Sequence, residues 1–167
     1  MKVKDLLKDV EDVELTPEQE KQIKDYLGIK DNKRFKPKQG ENYYYIYPDL
    51  SLANTHYDFV YSSDQDRVRY GNCFKTQEEA EFAAEQIKVY QELKLFAEEN
   101  GDPINWNNYN QIKYRFSYDY SDDTFVFDSN CWICHQGSIY FSSQELVKQA
   151  IETVGADRIK KYLFGVE

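Results

Sequence analysis

Cysteine, proline, histidine and methionine are all scarce in this 167-residue chain, with three Cys, four Pro, two His and one Met. An odd count of three cysteines argues against a disulfide framework and for a reducing compartment. His56 and His135 are the only imidazoles, and no GxSxG, HExxH or glycine-rich phosphate loop occurs, so the expectation is a protein that is not an enzyme. No stretch approaches the ~20 consecutive apolar residues that span a bilayer. The opening Met1-Lys2-Val3-Lys4-Asp5 leads into no apolar signal core. A cytoplasmic protein without membrane contact is expected.

What the chain has is aromatic side chains and acid. Tyr (15) and Phe (10) raise the aromatic share to 16%, so bulky rings replace much of an aliphatic core, and many tyrosine hydroxyls must reach water or a partner. The net charge is −9. Residues 1–41 carry ten basic and ten acidic side chains, whereas residues 42–167 carry eleven basic against twenty acidic. The whole excess lies in the larger part. Such a surface repels nucleic acid and favours basic protein surfaces, including those that normally hold DNA or RNA; it also simply aids solubility.

The length fits one core. Val3, Leu6, Leu7 and Val10 share a helical face. Thr16, Pro17 and Gln19 mark the start of a second helix over 17–27, which Gly28 ends. Residues 30–41 are basic and broken by Pro37 and Gly40, a linker between a helical arm (1–29) and an α+β body (42–167). The body opens with a strand at Tyr43–Tyr47, and further strands are expected near 56–62 and 67–74. Thr76 and Glu79 form a capping box for a long helix whose face is Ala80, Ala83, Ile87, Tyr90, Leu93 and Ala97, with Gly101 as its stop. After a polar loop the pattern returns: strands at Lys113–Tyr118, Thr124–Phe127 and Ser138–Phe141, then a helix with Leu146, Val147, Ala150, Ile151 and Val154 on one side. Gly155 ends it, and Ala156–Leu163 forms the last helix.

The junctions overlay as Phe74-Lys75-Thr76-Gln77-Glu78 on Phe141-Ser142-Ser143-Gln144-Glu145, with Ala83 on Ala150. The expected fold is therefore α+β, an antiparallel meander followed by a covering helix, over 42–101 and again over 105–163. Duplication and chance both account for the match, since a strand entering a capped helix needs Ser or Thr there.

The run Phe35-Lys36-Pro37-Lys38-Gln39-Gly40-Glu41-Asn42-Tyr43-Tyr44, the segment Gly71-Asn72-Cys73-Phe74-Lys75-Thr76-Gln77-Glu78-Glu79-Ala80-Glu81, and the endings Tyr140-Phe141-Ser142-Ser143-Gln144-Glu145-Leu146 and Ile159-Lys160-Lys161-Tyr162-Leu163-Phe164-Gly165-Val166 carry a resemblance. The chain resembles a widespread family of small phage- and prophage-encoded proteins of Gram-positive bacteria, over nearly its whole length apart from Cys131 to His135. That family has no established activity. The resemblance implies a phage accessory setting, in which proteins often bind host proteins, CRISPR nucleases and other defence components among them.

Four candidate chemistries remain. Cys131-Trp132-Ile133-Cys134-His135 matches covalent haem attachment, a chemistry carried out outside the cytoplasm. It also supplies three zinc ligands, Cys131, Cys134 and His135, with Cys73 or His56 as a fourth, although structural zinc usually shows a second close pair. The plain alternative is two thiols in a hairpin with Trp132 packed on the body; no cofactor is expected. The candidates for an acidic, tyrosine-rich protein-binding surface are Asp119, Tyr120, Asp122, Asp123, Asp128 and Trp132, together with Glu78, Glu79, Glu81 and Glu85 early in the central helix. Such a surface suits a host or phage protein as partner, with charge spaced like a nucleic-acid backbone. Arg67, Arg69 and Arg115 are the only arginines in residues 42–155. They are the candidates for a small-ligand site, nucleotide or metal, in a tyrosine-lined pocket. A minor phage structural or assembly protein is the third class.

Overall fold

The computed structural model describes Thr16, Glu18, Tyr26 and residues 34–166. The chain divides between Lys36 and Pro37. In the first part Glu18 and Tyr26 are helical and exposed. The expected helix over 2–10 and the remainder of the one over 17–27 lie outside the described residues.

Three tyrosines and an isoleucine, all strong β-formers, make up most of β1 (Asn42–Ile46). It pairs antiparallel with β2 (Leu52–His56), Tyr44 standing opposite Asn54. The sequence placed that second strand at 56–62, drawn by Tyr57, Phe59, Val60 and Tyr61. Those residues instead form a loop in which Tyr57 packs against Tyr43 while Phe59, Val60 and Tyr61 face solvent. A third strand was expected at 67–74, where Arg67-Val68-Arg69-Tyr70 alternates polar and apolar. Ser62–Tyr70 is a helix, α1, with Asp64 in its first turn and Arg67 and Arg69 in its last, the charge order a helix dipole favours. Gly71 closes it at φ 86°, a left-handed conformation glycine adopts freely.

The chain then touches β1 again. Tyr44 and Phe74 exchange two backbone hydrogen bonds of 2.9 Å, a single antiparallel bridge. Two residues on, Thr76 caps α2 (Gln77–Asn100) in the predicted capping box with Glu79. The same order returns in the second half. β3 (Lys113–Asp119) pairs with β4 (Thr124–Asn130). Phe141 bridges to Tyr114 by bonds of 2.9 and 2.8 Å, and Ser143 caps α3 (Gln144–Val154). The expected strand at 138–141 thus contracts to that one bridge. A final helix, α4 (Ala156–Phe164), ends at Gly165. The fold is α+β, with two hairpins, each followed by a bridge and a capped helix.

The core forms where α2 crosses α3 and α4 above the second hairpin: Val89, Leu93, Phe141, Val147, Ala150, Ile151, Val154 and Ile159 are buried there. Six and ten residues beyond the junction phenylalanines, Ala80 matches Val147 and Ala84 matches Ile151, and all four are buried. The predicted α2 face is correct at Ala80 and Leu93, but its seam runs through Ala84 and Val89, and Ile87 stays 42% exposed. Among the described residues no helix is long and apolar enough to cross a membrane.

Gly101 lets the end of α2 meet the start of α3. A Cβ there would lie 2.8 Å from the Ala97 carbonyl and 3.1 Å from Ser142 Oγ, and Asp102 N–H donates to that same Oγ. Gly101→Ala is expected to cost about 1–3 kcal/mol through overpacking against backbone, read as a lower urea midpoint with an unchanged m-value.

Candidate functional site

Tyr43 and Tyr45 share one face of β1, and Asp64 and Arg67 of α1 meet them there. Tyr43 is fully buried and Asp64 is 4% exposed. The Tyr43 hydroxyl donates to Asp64 Oδ1 at 2.8 Å, and Arg67 Nη1 donates both to that oxygen at 2.9 Å and to the Tyr43 hydroxyl at 3.0 Å. Asp64 Oδ2 accepts the Asp58 amide at 2.9 Å. A buried carboxylate is tolerated only when paired and hydrogen-bonded in this way. The guanidinium carbon also lies over the Tyr45 ring, 3.7 Å from its centre. Asn72 clamps the far end, bonding the amide and carbonyl of Ile46 at 2.8 and 2.7 Å. Beside this network lies a cleft of about 540 Å³ with Arg67, Tyr45, Tyr47 and Tyr70 in its wall.

Asp64 also fixes the loop before α1. Every backbone amide from Tyr57 to Tyr61 has an acceptor: Glu41 O, Asp64 Oδ2, Gln39 Oε1, Asp58 Oδ1 and Asp58 O in turn. Yet Phe59, Val60 and Tyr61 are 60%, 70% and 62% exposed. A loop held this tightly keeps three consecutive apolar side chains in water. Its only signal in the sequence was the run of aromatic and β-branched residues that resembled a strand.

In the second repeat Lys113 stands where Tyr43 stands in the first, one residue before the bridging tyrosine, and is likewise fully buried. Its ammonium donates to the carbonyls of Asn108, Gln111 and Cys131 at 2.8–2.9 Å and lies 5.2 Å from the Trp106 ring centre. Each repeat thus staples its loops to its first strand by a buried polar side chain.

The predicted acidic residues are distributed over three elements, and most have local partners. At the β3–β4 turn Asp119 accepts from Ser121, which holds its carboxyl below the usual range. Asp123 binds the Tyr118 hydroxyl and Lys160, and both depress its pKa. Tyr120 donates to the Phe164 carbonyl, and Asp122 is exposed. On β4, Asp128 is held low by Arg115, whose Nε and Nη2 donate to it at 3.0 and 2.8 Å. On α2, Glu79 caps the helix, Glu81 accepts from Gln77, and Glu85 pairs with Lys88 and Arg158. Glu78 is exposed in the first turn. Of the three arginines, Arg67 alone lines the cleft; Arg69 is exposed beside Tyr70, and Arg115 is committed to Asp128.

Cys131, Cys134 and His135 do not assemble a metal site, and among the described residues no three His, Cys, Asp or Glu side chains do. Their loop is wound instead about the Tyr140 hydroxyl, which receives the His135 amide at 2.8 Å and donates to the Ile133 carbonyl. Trp132 is 69% exposed and not packed on the body.

No family model, curated protein or solved structure matches the chain. The site is read from its own geometry.

Burial, reinforced by the bond to Asp64 and opposed by that from Arg67, pushes the Tyr43 hydroxyl up to about 12. A raised folded-state pKa favours the neutral phenol, so this contribution to stability is complete below about pH 10, the unfolded value, and is lost as pH climbs through the folded one. Tyr43→Phe is expected to cost about 1–2 kcal/mol at neutral pH and to flatten the alkaline fall in stability. Arg67→Ala leaves Asp64 charged and buried without its cation, and is expected to cost about 3–5 kcal/mol. Denaturant titrations from pH 7 to 11 measure both.

Proposed function

We propose that this chain is a non-enzymatic phage accessory protein that binds a host protein, with the loop from Asp58 to Tyr61 as its apolar anchor. One observation carries the reading: all five amides from Tyr57 to Tyr61 are hydrogen-bonded within the chain, while Phe59, Val60 and Tyr61 point outward. Exposed apolar groups on a preorganised loop lose little entropy on docking, and interface energy concentrates in such anchors.

Charge supports the kind of partner. The acidic excess falls in residues 42–167, and Asp58 and the exposed Asp66 flank the loop. A basic protein with an apolar pocket is complementary, and nucleic-acid-handling defence proteins, CRISPR effectors included, have that character. Asp122, Tyr120 and Trp132 add exposed acid and aromatic surface in the second repeat.

Capture from host lysate by the wild-type chain and by a Phe59→Ser/Val60→Ser variant tests this. The wild type is expected to retain a basic protein, weakening steeply as salt rises through a few hundred millimolar. The variant keeps its melting temperature, because exposed substitutions away from structural features shift stability by no more than about 0.5 kcal/mol each. Its affinity falls by at least about 30-fold, the loss of a hot spot worth ~2 kcal/mol. Retention of the same protein by both chains would remove the loop from the proposal.

A further inference from the structure

The two repeats differ in what meets the turn end of each hairpin. In the second, the Phe164 ring at the end of α4 sits against Phe116, Tyr118 and Phe125, with centroids 6.1, 5.5 and 6.2 Å away. Counted along the strands from the bridge pairs, Tyr44 with Phe74 and Tyr114 with Phe141, Ile46 corresponds to Phe116 and Pro48 to Tyr118. Leu50, across the turn from Pro48, takes the place of Phe125, which pairs with Tyr118. On the helices Ala83 and Ile87 fall on Ala150 and Val154. Those five residues of the first repeat all line the same 540 Å³ cleft. No described side chain there plays the part of Phe164.

The cleft has a built rim. Leu50 is held at φ 63°, a region that bulky side chains rarely enter and that collects at functional sites. Its amide bonds the Tyr47 carbonyl at 2.9 Å, and Asp49 ties down Ser51 beside it. The hydroxyls of Tyr45 and Tyr47 are hydrogen-bonded at 2.8 Å, their rings edge to face.

Arg67 gives the cleft its chemistry and is its one charged wall residue. Its hydrogen bonds to Tyr43 and Asp64 leave from Nη1, and its guanidinium carbon sits over the Tyr45 ring. Nε and Nη2 have no acceptor among the described residues. A fixed guanidinium edge fits a carboxylate or phosphate through two parallel bonds. A mostly apolar cleft of this size, with one oriented polar group, lies within the ~300–1,000 Å³ range of small-molecule sites.

We propose that this cleft binds a small aromatic anion. The ring takes the place among Ile46, Leu50 and Ile87 that corresponds to that of Phe164 in the second repeat, and its carboxylate or phosphate meets the Nε–Nη2 edge of Arg67. Amide NMR of the full chain tests it with two probes, N-acetylphenylalanine for a carboxylate and adenosine monophosphate for a phosphate. Their uncharged counterparts, N-acetylphenylalaninamide and adenosine, run alongside. At least one anion is expected to shift the Leu50 and Ile87 amides with a Kd at or below about 1 mM, its neutral twin binding at least about tenfold more weakly. Ile87→Trp, at an exposed position, fills the cleft and is expected to abolish those shifts while leaving the rest of the spectrum in place. Arg67 is not the test residue, because its loss also exposes Asp64 to burial without a cation. Absence of shifts with both anions, equal binding of a neutral twin, or unaltered binding by Ile87→Trp would each overturn the proposal.

Discussion

In each repeat one pair of backbone hydrogen bonds carries the chain from its hairpin to its helix: Tyr44 with Phe74, and Tyr114 with Phe141. Such bonds contribute only about 1 kcal/mol apiece, but their position matters more than their strength. Each bridge makes the first strand of its hairpin central rather than an edge, and it fixes where the helix begins two residues later, at Thr76 or Ser143. From there the helix direction is set, and with it the meeting of α2 with α3 and α4 over a shared core.

What the repeats do not share explains their different surfaces. The residue before the bridging tyrosine is buried in both, but a phenol in one and an ammonium in the other require different company. Tyr43 is satisfied by Asp64 and Arg67, and so calls for a helix to bring them, whereas Lys113 needs only carbonyl oxygens and is served by loops. The insertion between hairpin and bridge follows that demand. It runs over residues 57–73 in the first repeat, including α1, and over residues 131–140 in the second. The apolar loop and the Arg67 cleft are both products of the longer insertion.

The local signals were legible in the sequence. Capping residues at Thr76 and Ser143, the stops at Gly101 and Gly155, and the repeated junction act within a few residues, so their chemistry is visible in one dimension. α1 was not legible as a helix because its order depends on Asp64 and Arg67 meeting Tyr43, partners 21 and 24 residues away. Gly71 and the acid-then-base order along Ser62–Tyr70 are the only local hints of it. Arg67 was named as a ligand-site candidate from its rarity, and the structure sets it in a tyrosine-lined cleft. Arg115 was named on the same ground and is occupied by Asp128. Among the acidic candidates, Glu79 caps α2 and Asp123, Asp128 and Glu85 pair with bases, roles that depend on which base lies opposite in space.

Native-state hydrogen exchange of four amides, those of Tyr44, Phe74, Tyr114 and Phe141, tests the central claim most directly. If the two bridges hold hairpin to helix in both repeats, all four exchange only through the largest openings of the body, with protection matching the amides of Val89 and Val147 in the core helices. Exchange of either pair at the rate of the loop amides around Asn107 and Asn110 would contradict it.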